Sequence, residues 1–574
     1  MKKFLLSLAL PGLFSFGVSA AVGDTFTIDG LLYTVLTENP NTVSVKAPEY
    51  SFDISGDLVI PASVTNNDTE YTVTTLPTNA IGYCLNLTTV ALPASITTII
   101  NGPFYRCHNL TEILVDEANP NFVSVDGVLY NKDMTKLVSC PEGKTGDFII
   151  PQSVTELQVS ALNGCSNLTS ITLPDGLKTI GSNALYLCSG ISSISITANV
   201  ASASTAFLGR CNSLQEIIVE HSNENYKVVD NMLYNSDMTT LLMAPVGSNT
   251  LIDINELPES VTSILSFAYS GSKALTNVYI PARINTIGIG AFIYTPNLIN
   301  FDVDENHASY CSVDGVLFNK AKTQVIAYPY GRTDTYVVPD GVTTLTANSF
   351  RGANLTGLVI PASVTTAATT FIQDANNLKK IVDLNPVPQT ISVTAMLYKP
   401  EDLVVYVPQG SKEAYEQAWP LFHNFEEIGT FLMVLSENEK TLTAGEDLQL
   451  KAYFVDPGGD LELDKETWSS SDPNVATVDE NTGLVTAVAP GKCVITVTGT
   501  DHGGTQQTDQ CDITVASTSA VTMIESDDVK AIDWSKPFEV FDLSGKKVGT
   551  KIENLAPAIY IVRQDSASAK IAVK

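Results

Sequence analysis

A mainly β chain is predicted, built as a solenoid of short coils followed by two smaller β modules, and three observations predict it. Cysteines recur at one spacing: Cys84 and Cys107 lie 23 residues apart, and so do Cys165, Cys188 and Cys211. Segments aligned on them return apolar residues at matching offsets and include alternating runs such as LTSITL from Leu168 to Leu173, the signature of a short strand with one inward face. From about Phe431 this period stops and a different pattern of short alternating runs begins. A chain of 574 residues also exceeds what one hydrophobic core supports, and 44% hydrophobic content with 28 Pro and 36 Gly suits many strands and turns.

The repeat follows from burial. A coil of 23 residues cannot hide its own apolar side, so neighbours must stack and share one core. The ladder cysteines Cys84, Cys107, Cys165, Cys188 and Cys211 then fill equivalent small buried slots and carry no catalytic or metal role. Prolines at Pro61, Pro93, Pro151, Pro174, Pro258, Pro281, Pro339 and Pro361 end the strand in successive coils, and a proline-free coil lies near Ile196. Asn-Leu pairs at Asn86, Asn109, Asn167, Asn297, Asn354 and Asn377 hold a fixed place before the strand, which makes them turn residues although four read Asn-Leu-Thr.

Three coils carry an insertion of one design, VDGVLYNK at Val125, VDNMLYNS at Val229 and VDGVLFNK at Val313. Asp126-Gly127 and Asp314-Gly315 between apolar residues are hairpin turns, because both central positions tolerate positive φ. Each insertion leaves through Pro-x-Gly, in CPEG from Cys140, APVG from Ala244 and YPYG from Tyr328. Such hairpins either project as recognition loops or cover a coil edge.

Residues 1–20 have the layout of a secretory leader, with Lys2, Lys3, an apolar run from Phe4 and a small-residue exit, so cleavage is expected between Ala20 and Ala21. The apolar run is short and broken by Pro11 and Gly12, and no later segment reaches about 18 uninterrupted apolar residues, so no transmembrane segment is expected in the mature chain. Loss of Lys2 and Lys3 takes the formal charge from -30 to -32. That field repels nucleic acid and anionic bilayers.

No constellation of catalytic residues emerges. His108, His221, His307, His423 and His502 are scattered without metal-ligand spacing. Gly143-Lys144-Thr145 lacks the first glycine of a phosphate loop, Val138 standing in its place. Ser270-Gly271-Ser272-Lys273 and Lys144-Thr145-Gly146 stand in reversed order for a penicillin-recognising enzyme. Asp456, Asp460, Asp464, Asp479 and Glu480 fit no standard calcium loop and read as solvated turns. No cofactor is expected.

With the coil pattern, the VDGVLY hairpins and the ending VYVPQGSKEAYEQAW from Val405 in view, residues 24–430 resemble the BspA-type leucine-rich repeats of bacterial surface proteins. In that ending Ser411 is expected to cap a short helix with Glu413 in its first turn, closing the array. The segment TWSSSDPNVATVDENTGLVTAVAPGKCVITVTG, Thr467 to Gly499, resembles the bacterial immunoglobulin-like group 2 domain, with Trp468 as core anchor. Cys493 and Cys511 straddle a loop centred near His502-Gly503, so a hairpin would set them face to face and a disulfide is expected. The last stretch, with its turn Asp542-Leu543-Ser544-Gly545-Lys546, strand Ile559-Tyr560-Ile561-Val562 and terminal strand to Lys574, resembles the sorting tail of type IX secretion cargo.

The resulting expectation is a leader at 1–20, a leucine-rich-repeat solenoid with hairpin insertions and caps at 21–430, an immunoglobulin-like β-sandwich at 431–517 and a small C-terminal β domain at 518–574. A long modular face suits recognition better than chemistry. The chain is therefore expected to be an exported protein, at the outer-membrane surface or extracellular, that binds a protein or glycan ligand and is not an enzyme; a structural spacer without a ligand is the alternative.

Overall fold

The computed structural model describes residues 20–48, 54–204, 206–247, 254–391, 402–420 and 422–516, together with five strands beyond residue 520. The described leader residue is Ala20 alone, so the expected signal segment lies outside the described residues. Two compact units are present, the first comprising residues up to 332 with 344–353 and 368–374, the second 333–343, 354–367 and 375 onward.

In the first unit the period read from the cysteines reappears as hydrogen-bond register. Ser193–Ile196 pairs in parallel with Glu216–Val219, Ser193 facing Glu216, and Asn277–Ile280 pairs with Asn300–Val303, Asn277 facing Asn300. After each such strand the proline opens a tight turn: the N–H of Ile96 donates to the Pro93 carbonyl, Leu177 to Pro174 and Ile284 to Pro281. A two-residue strand follows, and Glu156–Leu157, Thr179–Ile180 and Ser202–Ala203 stack as a second parallel ladder in the same step. The core between the two ladders is continuous from coil to coil, with Leu157, Leu177, Ile180, Cys188 and Ile191 all inaccessible.

Side chains also tie coil to coil. The thiols of Cys107, Cys188 and Cys211 donate to the carbonyls of Ile81, Leu162 and Leu185, at 3.0, 3.3 and 3.2 Å. Cys165 lies beside Cys140, the exit cysteine of the first insertion, whose carbonyl it reaches at 3.8 Å. The amides of Asn109 and Asn297 donate to Leu85 and Lys273 in the preceding coil, at 2.8 and 2.7 Å. Asn119 and Asn223 do the same for Pro93 and Thr197, and His307 takes the equivalent place with Nε2 2.9 Å from the Ile284 carbonyl. His307 is thus a repeat residue, 1% exposed, and not a ligand.

The insertions do not project. Phe122–Val125 and Val128–Asn131 form the expected hairpin, Asp126 and Gly127 at φ 50° and 76°. Its second strand is buried, however, and pairs onward with Lys136–Ser139, which itself joins Glu156–Leu157 in parallel. Each insertion is therefore a meander that starts a new short-strand ladder, and Tyr226–Met243 and Tyr310–Ala327 repeat it. A fourth copy, Thr25–Ile28 with Leu31–Glu38 around Asp29-Gly30, opens the array. The cation after the Pro-x-Gly exit clamps the hairpin: Lys144 Nζ donates to the Asp126 carbonyl and Arg332 Nη1 to Asp314, at 3.0 and 2.7 Å. Lys144 holds a turn, not a phosphate.

In the second unit, Thr335–Val337, Gly357–Ile360, Lys380–Asp383, Val404–Val407 and Phe425–Glu427 form one parallel sheet. The helix Lys412–Ala418 is present, but Ser411 does not cap it: the residue is itself helical in φ and ψ, and its hydroxyl donates to the Pro386 carbonyl at 3.1 Å. Tyr415 and Trp419 anchor the helix through the carbonyls of Asn385 and Gln389, at 2.8 and 2.7 Å. Two layers follow, one centred on the hairpin Gly491–Asp501 with Gln506–Ala516, against which Glu439–Thr443 pairs in parallel, the other an antiparallel layer centred on Leu484–Ala487. They enclose Trp468, Val485, Ile495 and Ile513. No seam separates this sandwich from the parallel sheet, because Val359 and Val382 share a core with Ile428, Val434 and Val455. A half-buried ion pair, Lys380 Nζ to Asp509 Oδ2 at 2.7 Å, reinforces the junction.

The hairpin register corrects the expected disulfide geometry. Its loop centres on Gly503, so Cys493 faces Ile513 and Cys511 faces Ile495, and the two thiols stand diagonally instead of face to face. Both are free and buried. Beyond residue 520, five antiparallel strands form one sheet that includes Ala558–Gln564 and Ala567–Val573; Leu543–Lys546 and Lys574 lie outside the described residues.

Two outcomes are expected. Burial raises the Cys188 and Cys211 thiols of the ladder, the second to about 12, so at pH 8 each holds at most on the order of one thiolate in ten thousand, and the inaccessible ladder as a whole resists alkylation. A thiol-disulfide reagent should titrate at most Cys311 in the native chain and all nine cysteines after unfolding without reductant; a denatured count of seven would restore the Cys493–Cys511 bond.

The second concerns Asp383, fully buried with Oδ1 accepting from the Asn385 N–H at 3.0 Å. Burial pushes its carboxyl from 3.8 up to about 7. A raised acid stabilises the fold below its unfolded value and loses that contribution as pH rises through the folded one, because the unfolded chain ionises first. Stability should therefore fall between about pH 4 and 7, and Asp383→Asn should flatten that slope and add roughly 2–4 kcal/mol at pH 8. Urea melts followed by tryptophan fluorescence across pH 5–8 check this, and parallel curves for the two proteins would count against it.

Candidate binding face of the repeat turns

Eight coils of the first unit turn from the short strand back to the cysteine position through two residues with positive φ, four apart in sequence, and a ninth does so with the second alone, Asp374. The first column is mostly inexpensive, with Asn79, Gly102, Ser160, Asn183, Gly290 and Asn348 against Ala206 and Phe267. Glycine meets no steric objection there and asparagine little. The second column differs. Gly164, Gly271 and Gly352 occupy it in three coils, whereas Tyr83, Arg106, Leu187, Arg210, Tyr294 and Asp374 occupy it in six. A bulky side chain in this conformation costs about 1 kcal/mol or more, so these residues are held there by what their side chains do.

Their side chains converge. The Arg210 guanidinium lies 3.8 Å from the centre of the Tyr294 ring. Arg351 donates through Nε to the Tyr294 hydroxyl at 3.0 Å and sits 3.5 Å from Asp374 Oδ2, while the Tyr294 hydroxyl donates to that same carboxylate. Arg106 stands near the rings of Tyr83 and Tyr105, 5.8 and 5.7 Å from their centres. Glycine makes room for the rings: a Cβ on Gly209 would lie 2.7 Å from Tyr186, and one on Gly352 2.6 Å from Tyr294. Six arginines occur in the whole chain, and three of them meet here.

A recess of about 250 Å³ opens within this face. Its rings are Tyr105, Tyr186 and Phe267, its amides Asn79, Asn163 and Asn183, and its cation Arg351. Burial raises the Tyr186 and Tyr294 hydroxyls above their ordinary range, the neighbouring arginines pulling the other way, so both act as neutral phenols. Several buried polar atoms here have no partner in the structure, among them Asn163 Oδ1, Arg210 Nε, Ser270 Oγ and Asn348 Oδ1. A wider cleft of about 870 Å³ in the second unit, lined by Thr333, Asn354, Lys379, Glu437, Lys440 and Lys492, has no aromatic ring.

Of the residues singled out from sequence, Ser270 and Gly271 lie on this face as turn residues, and the cysteines and the module carboxylates lie elsewhere. The ladder cysteines fill the core behind this face, and Cys493 and Cys511 belong to the sandwich. Asp456 and Asp479 close turns by accepting from Gly458, Leu461, Asn481 and Thr482 N–H groups. Among the described residues no group of three or more His, Cys, Asp and Glu is arranged to hold a metal. The signal that would have found the face is the residue before four of the five ladder cysteines, Tyr83, Arg106, Leu187 and Arg210.

Comparison with known proteins gives two family matches. The profile of the BspA type leucine rich repeat region matches in six copies over residues 49–136, 140–251, 248–379 and 326–395, together more than half of the chain. The profile of the bacterial Ig-like domain, group 2, matches residues 433–510. Among solved structures, a leucine rich cell surface protein of Faecalibacterium prausnitzii is 21% identical, covering 71% of this chain and 95% of that one at a TM-score of 0.28. A leucine-rich repeat protein of Eubacterium ventriosum is 24% identical over 46% of this chain and 69% of that one, TM-score 0.32. One of Bacteroides ovatus is 18% identical over 73% and 82%, TM-score 0.23. No curated protein matches.

The Tyr294 hydroxyl joins a cation and a carboxylate that are both largely buried. Its removal in Tyr294→Phe should destabilise the first unit by roughly 1.5–3 kcal/mol, the range for hydrogen bonds to charged groups. An unchanged urea midpoint would show that the hydroxyl is dispensable.

Proposed function

The chain belongs to the BspA-type leucine-rich-repeat family, and on that premise we propose that it is an exported, non-enzymatic binding and adhesion protein that recognises a host, matrix or bacterial macromolecule through its repeat surface. One observation carries the reading: tyrosines and arginines held at strained turn positions form one face, and these are the residue types that dominate binding energy at interfaces. A solenoid adds rigidity, so little ordering is needed on binding.

Export is part of the proposal. Cleavage between Ala20 and Ala21 would create an ammonium group where the Ala21 N–H now lies 2.8 Å from Asp24 Oδ2, so the new terminus would be neutralised in place. The likeness of the last residues to a type IX sorting tail supports passage to the outer-membrane surface or the medium. The partner is a protein or a glycan.

The test uses the full mature chain on immobilised matrix proteins, mucin-type glycans and bacterial cells at physiological salt. Saturable binding to at least one surface is expected, weakened about tenfold or more by Arg106→Ala together with Arg210→Ala. If nothing binds saturably, or the double variant binds undiminished, the repeat face is not the recognition surface and a spacer role takes its place.

A further inference from the structure

Building on the binding role proposed above, we infer that the recess on the turn face holds one sugar residue that carries a carboxylate, a uronate or sialate unit of a glycan. Its volume of about 250 Å³ lies under the roughly 300–1,000 Å³ of sites for drug-sized ligands, and leaves room for a single ring. Three aromatic rings, Tyr105, Tyr186 and Phe267, offer flat apolar walls to the C–H face of a pyranose. Three amides, Asn79, Asn163 and Asn183, stand among them. An amide both donates and accepts, as a sugar hydroxyl does, so the two satisfy each other in pairs.

Asn163 is the most deeply set of the three amides' residues on the recess wall. Its side chain is 9% exposed, and its Oδ1 has no partner.

The charges select for acid. Arg351 lines the recess, Arg106 donates to the Tyr105 hydroxyl on its wall at 3.4 Å, and Arg210 faces Tyr294 next to it. Against three guanidiniums stand two carboxylates. Asp374 is taken by Arg351 and Tyr294, and Glu142 accepts from the Arg106 backbone N–H at 2.7 Å and lies 2.7 Å from His108 Nδ1. No carboxylate is paired with the Arg106 or Arg210 side chain among the described residues. A planar carboxylate matches the guanidinium fork. An acidic peptide side chain would engage the cations but leave the amides and ring faces unused.

Saturation-transfer NMR and calorimetry of the full chain decide the matter, with glucuronic acid, N-acetylneuraminic acid, glucose and a glutamate-rich peptide as probes. At least one acidic sugar should bind saturably, with transfer to its ring C–H protons, and about tenfold or more tighter than glucose. Arg106→Gln and Asn163→Leu, the second filling the recess, should each weaken it about tenfold or more at unchanged melting temperature; should Asn163→Leu fail to fold, Arg106→Gln and the glucose comparison carry the test. No acidic-sugar binding up to about 10 mM, equal binding of glucose, binding of the peptide in its place, or undiminished binding by the variants would overturn the inference. Macromolecule binding that persists without any sugar bound sinks this inference alone, and a bound sugar without macromolecule binding sinks the adhesion reading alone.

Discussion

A coil of 23 residues has an inward side that only its neighbour can cover, and most features of the first unit answer to that. Strand pairing runs from each coil to the next in one register, and so do the buried thiols, the Asn-Leu amides and the Asn119, Asn223 and His307 bonds. Stability in such an array is a sum of neighbour terms. The fourfold use of a hairpin meander follows the same logic, since each meander supplies the antiparallel strand on which a fresh ladder of two-residue strands can begin.

The same constraint determines where the sequence is free to vary. Core offsets must stay apolar or small, whereas the turn after the short strand only has to return the chain through two left-handed residues. Glycine or asparagine would do this at least cost, and the first of the two columns is mostly of that kind. The second column spends strain on Tyr83, Arg106, Arg210 and Tyr294 instead. Ring stacking, the Tyr294 bridge between Arg351 and Asp374, and close approach at Gly209 and Gly352 offset that strain within the protein.

The period was legible in the sequence because chemistry repeats with it: cysteine, proline and Asn-Leu mark each coil. The fourth meander escaped because Ile28-Asp29-Gly30-Leu31 precedes the first marker and lacks the asparagine that ends the other three at Asn131, Asn235 and Asn319. Ser411 misled because a capping residue is recognised by type, whereas a backbone already helical at that position leaves its hydroxyl to find Pro386. One residue of loop position separated the expected facing cysteines from the diagonal pair observed. The turn face left little beyond the residues before the ladder cysteines to read, for a deeper reason. A positive φ leaves no mark on the identity of arginine or tyrosine, and Tyr294, Arg351 and Asp374 come from three coils separated in sequence that meet only in the folded array.

Charge sharpens what such a face can select. A chain of net charge -30 repels anions at a distance, and at physiological salt that field fades within about 8 Å. An acidic ligand therefore gains nothing from long-range steering and must be won by contact. Three arginines of six on one face supply that contact, and the buried amides beside them penalise any anion that cannot also satisfy hydrogen bonds. Specificity of this kind resides in the short-range groups, with the acidic surroundings acting against every anion that fails to reach them.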